Sequence, residues 1–186
     1  MKNVLVIVAN PKKDSLSFAI ANRVKKVNED IKNSVEILDL YKDEKRQDFF
    51  IYEENAFHFE PTKEMLYYQE KIKKADEIVI VFPYWWGSIP AILKNFFDWN
   101  LSSGFAYTYE KGTPKGLLKG KDVKVYTTTG APKFFYFLNG ANRRLKKMFK
   151  DQIIEFCAMN LKEFNIFGGI DSGFKGAQKI LDSIKA

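Results

Sequence analysis

Four short apolar runs constrain this chain more than any other feature: Val4 to Ala9, Val35 to Leu40, Ile78 to Phe82 and Val123 to Thr128. Each is rich in β-branched residues, and the first and third are apolar almost throughout. A strand that is apolar on both faces must be covered on both, as in a parallel sheet lying between layers of helices. A fifth, weaker run spans Phe164 to Phe167. Helical spacing fills the intervals. Ser17 to Val27 places Phe18, Ile20, Ala21, Val24 and Val27 on one face, and Pro61 to Lys74 opens with a proline suited to a first helical turn. Ile89 to Trp99, Phe149 to Leu161 and Ala177 to Ile184 complete the set. Strands alternating with helices predict a doubly wound α/β domain with a five-stranded parallel sheet in the order 2-1-3-4-5.

Two stretches break the alternation. Residues 41–60 are polar and aromatic without a clear period, and residues 104–120 are rich in Gly, Tyr and Lys. Excursions of this length in a compact domain usually serve function or form interfaces. No repeat, low-complexity tract or linker divides the chain, so residues 1–186 are read as one domain. That length buries an adequate core without metal or disulfide support.

Composition removes several classes. Cys157 is the only cysteine, which precludes an intrachain disulfide and fits a reducing compartment; its apolar neighbours suggest a buried helix face. His58 is the only histidine, which leaves poor material for a zinc site or a Ser-His-Asp triad, and no metal is expected. The apolar start is too short to cross a bilayer and does not read as a signal peptide, so the expected location is the cytoplasm. The net charge is +7, but the basic residues are scattered at helical spacing beside apolar ones. Such spacing marks solvated helix faces rather than a nucleic-acid surface, although it also suits capture of a phosphorylated dinucleotide.

In open α/β sheets ligands bind beyond the carboxyl ends of the strands, at the point where strand order reverses. Three loops meet there. The first, Asn10 to Phe18, ends in hydroxyl residues, and Ser15 or Ser17 is the candidate N-cap. A helix start there offers backbone N–H groups and a positive dipole end to a phosphate. It has none of the glycines of a P-loop. The second, Pro83-Tyr84-Trp85-Trp86-Gly87-Ser88, places three consecutive aromatics after a buried strand, where they need a cover; a planar ring such as a flavin supplies one. The third, Thr127-Thr128-Thr129-Gly130, ends in a glycine that would let backbone approach a ligand.

These residues resemble the NAD(P)H:quinone oxidoreductases, a family of flavodoxin-like fold that includes the bacterial ancillary proteins of potassium-efflux systems. The match is carried by Phe82-Pro83, Trp86, Ile89-Pro90-Ala91-Ile92-Leu93-Lys94, Phe97-Asp98, Gly104 to Tyr109, Thr128-Thr129-Gly130 and Tyr136, with Asn10-Pro11 and Ser17-Phe18 near the start. The resemblance implies bound FMN (or FAD), NADPH or NADH as donor, a quinone or similar small acceptor, and a homodimer with two interfacial sites. It implies that Pro83, Tyr84, Trp85, Trp86, Thr128, Thr129 and Gly130 hold the flavin ring, and that Asn10, Ser15, Ser17 and Phe18 line its phosphate and ribityl portion. Trp86, Tyr107 and Tyr109 would meet substrate, the two tyrosines from the partner subunit, and Tyr136 would be catalytic. Two positions depart from the pattern. Asn10 stands where the family usually has histidine, and Asn142 falls by counting on a second histidine position. An amide neither takes up nor releases a proton near neutral pH, which leaves Tyr136, water or the bulk solvent for that role. The resemblance leaves three alternatives open: a flavin-binding regulatory subunit of a membrane transport protein, an azo- or nitro-reducing enzyme, and a one-electron carrier. The last is usually acidic, which the net charge opposes.

Overall fold

The computed structural model describes residues 1–52, 60–138 and 140–186, with only the backbone of Lys133, Tyr136 and Phe137. In chain order the strands are β1 (Asn3–Val8), β2 (Ser34–Asp39), β3 (Glu77–Pro83), β4 (Tyr107–Glu110), β5 (Thr113–Gly116), β6 (Asp122–Thr128) and β7 (Asn160–Phe167). Five of them form an all-parallel sheet in the order β2-β1-β3-β6-β7. The expected five-stranded α/β sheet is present, but its order reads 2-1-3-6-7 rather than 2-1-3-4-5. The difference arises in residues 104–120, where β4 and β5 pair antiparallel in a hairpin outside the sheet. Their strands, Tyr-Thr-Tyr-Glu and Thr-Pro-Lys-Gly, are four residues each and largely polar, with none of the apolar signal of a sheet interior.

The helices are α1 (Leu16–Glu29), α2 (Lys63–Lys74), α3 (Ala91–Asn100), α4 (Lys133–Leu138), α5 (Ala141–Lys147) and α6 (Ala177–Ser183). Alternation along the strands sends side chains to two cores. Leu5, Ile7, Ile80, Phe82 and Val125 pack with Ile72 of α2, Leu93 and Phe96 of α3, and Phe149. Val4, Val6, Val8, Val79, Val81 and Tyr126 face Ile20, Ala21 and Val24 of α1, with Ile184 closing the layer. Burial on both sides is what makes β1 and β3 continuously apolar.

Several boundaries differ from expectation. Thr62 is the cap of α2, its hydroxyl accepting from the Met65 N–H at 3.2 Å, so Pro61 lies outside the first turn. The helix expected over Phe149 to Leu161 is present only in its first part and ends at Ile154. A π-helical segment at Met148–Ile154 continues α5, Ala158 takes a left-handed φ of 62°, and β7 starts at Asn160. The apolar spacing is real, but the tail of that stretch pairs with β6. Within residues 41–60, the segment up to Phe50 is fastened to α3. The Phe50 N–H donates to Asn95 Oδ1 at 2.8 Å, and Trp99 Nε1 donates to the Asp48 carbonyl at 2.8 Å. Residues 53–59, with His58, lie outside the described residues.

Cys157 sits in the turn that ends the π-type segment rather than on a helix face. It is buried, and burial pushes its thiol up to about 11. The folded chain therefore holds that proton more tightly than the unfolded chain. The stabilisation is complete below the unfolded value of ~8.5 and is lost as pH rises toward 11. The urea midpoint is expected to fall more between pH 8 and 11 in the wild type than in Cys157→Ala; equal falls would contradict the burial argument.

Candidate functional site

Backbone hydrogen bonds draw the three loops together at the carboxyl edge. The Ala9 N–H donates to the Val81 carbonyl at 2.9 Å, and the Tyr84 N–H to the Thr128 carbonyl at 2.7 Å. The loops after β1, β3 and β6 thus lie side by side, as their strands do.

In the first loop, Ser15 is the N-cap of α1, its Oγ accepting from the Phe18 N–H at 3.4 Å. Ser17 is buried at the second helical position. Asn10 Nδ2 donates to Ser17 Oγ at 3.0 Å, while Asn10 Oδ1 accepts from the Lys12 N–H at 2.9 Å. Asn10 therefore spends both ends of its amide fixing the loop against the helix. The first helical positions, Leu16 and Ser17, leave orphan N–H donors directed out of α1 toward the loop, and no acidic residue occupies the first turn. A phosphate fits this helix start.

In the second loop, Pro83 and Tyr84 are buried, Trp85 is half-exposed and Trp86 is fully exposed. Trp85 and Ser88 exchange backbone bonds in both directions, at 3.1 and 2.9 Å, around Trp86 and Gly87. Both central residues have positive φ, 52° at Trp86 and 72° at Gly87, the signature of a type I′ turn. Glycine is at ease there. A bulky side chain is not, and the left-handed conformation costs about 1–2 kcal/mol. The fold thus holds Trp86 in a strained backbone with its ring in solvent, an outlier of the kind found at ligand clamps. Of the three aromatics expected to need cover, Tyr84 receives it from the core, and the two tryptophans remain open.

In the third loop, Thr127, Thr128 and Thr129 are buried and Gly130 is exposed. Thr127 Oγ1 has no hydrogen-bond partner. A Cβ at Gly130 would stand 3.6 Å from the Ile170 carbonyl, an ordinary contact, so the protein itself does not demand glycine here. The loop is clasped to the one after β7: the Thr129 N–H donates to the Phe167 carbonyl at 2.9 Å and the Ile170 N–H to the Thr129 carbonyl at 3.0 Å. Sequence reasoning missed this clasp, because Gly169 and Ile170 look like any turn.

Tyr136 lies in the backbone of α4, and its side chain is outside the described residues. Asn142 is in the first turn of α5, and its Oδ1 is buried without a donor. Tyr107 and Tyr109 project from β4 with their rings edge-on at 5.9 Å, and Tyr107 packs on Phe156 at 5.0 Å. Tyr107, Phe156, Met148, Phe97, Ser88 and Ile89 line a cavity of about 470 Å³ beside the second loop. Burial raises the Tyr107 phenol above its ordinary value. Gly116 seats this hairpin. A Cβ there would lie 2.3 Å from the Ala158 nitrogen and the Cys157 carbonyl carbon, so only glycine permits this approach. Among the described residues no group of His, Cys, Asp and Glu is placed to hold a metal, and no helix is long and apolar enough to cross a membrane.

A doubly wound sheet with three such loops at the reversal of strand order defines a ligand-binding α/β protein. The chain belongs to the flavodoxin-like fold family, whose model matches residues 2–186. It is 33% identical over 171 residues to a Haemophilus influenzae protein named as an uncharacterized NAD(P)H oxidoreductase, covering 90% of this chain and 84% of that one. It is 32% identical over 201 residues to an FMN-dependent NADH:quinone oxidoreductase of Caldicellulosiruptor saccharolyticus, covering 97% and 98%. The solved NAD(P)H:quinone oxidoreductase of Methanothermobacter marburgensis superposes with a TM-score of 0.85 at 20% identity, covering 97% and 93%, and so shares the fold. Matches to animal quinone dehydrogenases span only 32% to 53% of their length.

Proposed function

We propose that this chain is an FMN-dependent NAD(P)H:quinone oxidoreductase. The observation that carries the reading is the strained, fully exposed Trp86 standing beside an open helix start and a glycine-ended threonine loop. Held by the three loops, FMN would supply the hydride chemistry between NAD(P)H and a quinone. The first turn of α1, with Ser15, Ser17 and Asn10, would hold the phosphate, and Phe18 the ribityl chain. Pro83 to Trp86 and Thr128 to Gly130 would frame the ring, with Trp85 and Trp86 excluding water from one side. Thr127 Oγ1 and Asn142 Oδ1 are both buried without a hydrogen-bond partner. Asn142 accepts or donates a hydrogen bond but moves no proton near neutral pH, so Tyr136 is the catalytic group we assign.

Residues 1–186 act as one flavin-binding domain in the cytoplasm. Two copies would pair through the Ile89 to Leu101 helix region and the Gly104 to Tyr109 loop, so that Tyr107 and Tyr109 enter the partner's site. Phe97 is buried in the chain's own core and Phe105 and Tyr107 pack against it, so the ring this pairing would cover is Tyr109, which is half-exposed. The test is the absorption spectrum of the purified protein, mass identification of the released cofactor, and sedimentation of the same sample. A yellow dimer releasing FMN is expected, with Trp86→Ala weakening flavin retention. A colourless protein that takes up neither FMN nor FAD at micromolar concentration would end the reading.

A further inference from the structure

We propose that the α4–α5 surface is a docking face for an anionic lipid bilayer. Two observations meet there. First, Phe134, Phe135 and Leu138 on α4 are 65%, 62% and 65% exposed, an apolar cluster left in water beside the ligand edge. Second, no acidic residue occurs anywhere between Asp122 and Asp151, while α5 presents Arg143, Arg144, Lys146 and Lys147. The two helices pack against each other, and α5 turns Ala141 and Leu145 inward, which leaves its four cations outward. The Arg144 guanidinium lies back over the joint, with Nη1 3.5 Å from where a Cβ on Gly140 would stand. Lys147 Nζ lies 3.8 Å from Asp151, whose side chain is about one-third exposed.

Charge and apolarity together select the occupant. Aromatic and aliphatic side chains bordered by lysine and arginine match the headgroup boundary of a bilayer, where rings enter the acyl margin and cations meet lipid phosphates. A second copy seated on this face would bring two strongly cationic surfaces together. Nucleic acid would satisfy the cations but leave Phe134, Phe135 and Leu138 without a partner. The surface borders the third loop, and α4 also carries Tyr136. If the redox reading also holds, docking would set the site against acceptors dissolved in the membrane.

The test is cosedimentation of the full chain with vesicles of phosphatidylcholine alone and of equimolar phosphatidylcholine and phosphatidylglycerol. Binding to the mixed vesicles only is expected, with release at ~1 M salt, where screening shortens to ~3 Å. Neutralising two cations in Lys146→Gln/Lys147→Gln should lower partitioning roughly 25-fold, about fivefold for each charge near the surface. Phe134→Ser/Phe135→Ser should lose binding while keeping the wild-type circular dichroism. Failure of the wild type to pellet with anionic vesicles, or unchanged partitioning in the lysine pair, overturns the proposal. So does a wild type that ignores vesicles while the phenylalanine pair turns a dimer into a monomer, because the face then belongs to a second copy. Vesicle binding is read without turnover, so neither result bears on whether flavin is bound.

Discussion

Phe149→Ala is expected to lower the unfolding free energy by about 3–5 kcal/mol, the range for removing a fully buried phenylalanine. At this chain length that is a fall in Tm of roughly 6–20 °C. Phe149 is fully buried in the π-type segment and stacks on Phe82 of β3 with ring centres 5.4 Å apart and planes 14° from parallel. It also meets Phe97 of α3 edge-on at 6.2 Å and Phe164 of β7 at 5.6 Å. Its neighbours sit on three separate elements, two of them sheet strands held by ladder bonds, so the cavity cannot close by moving one helix. Phe82 leads directly into Pro83 and Tyr84, so the second loop should loosen and flavin affinity should fall as well. Thermal unfolding and flavin titration check both parts. A loss under ~1 kcal/mol would mean that the aromatic cluster repacks freely and does not brace the site.

Phe149 also shows where sequence patterning succeeds and where it stops. The apolar load around Phe149 and Ile154 correctly marked a buried segment, but periodicity reports burial, not the point at which a helix ends. That point is set by Ala158 at φ 62° and by β7 pairing from Asn160, which are tertiary facts. The central strands were legible because both of their faces are buried. β7 was legible only over Phe164 to Phe167, because as an edge strand it alternates exposure along its length. The β4–β5 hairpin was invisible for the opposite reason. It holds its place through one glycine, Gly116, pressed against the Cys157–Ala158 backbone, and no side-chain pattern announces that. At the site, the positions of the three loops followed from strand order, and the strand ends delivered them. The positive φ at Trp86 and the clasp between Thr129 and Ile170 depend on backbone geometry that a list of residue types does not contain.

Tyr136→Phe is expected to slow flavin reduction by NADPH about 10–100-fold, with Asn142→Ala doing less. The assignment rests on position and on proton chemistry. Tyr136 falls in α4, six residues past Gly130 at the end of the third loop, and a phenol with pKa near ~10 stays protonated while donating a hydrogen bond to negative charge that accumulates on a bound ring. Phenylalanine keeps the shape and removes the donor, so the loss reports one hydrogen bond in the transition state, about 1.4–2.7 kcal/mol for that span of rates. Asn142 has its Oδ1 buried without a donor in the first turn of α5, so the amide can orient a partner but cannot relay a proton. Its truncation removes an unsatisfied acceptor, which limits the cost. Asn142→His would restore a titratable group and should raise the reduction rate, with a pH dependence near ~6.5 that the wild type lacks. Stopped-flow reduction of both single variants and Asn142→His separates the roles. An unchanged rate in Tyr136→Phe together with a large loss in Asn142→Ala would exchange the two assignments, and Asn142 would then be the group that holds the developing charge.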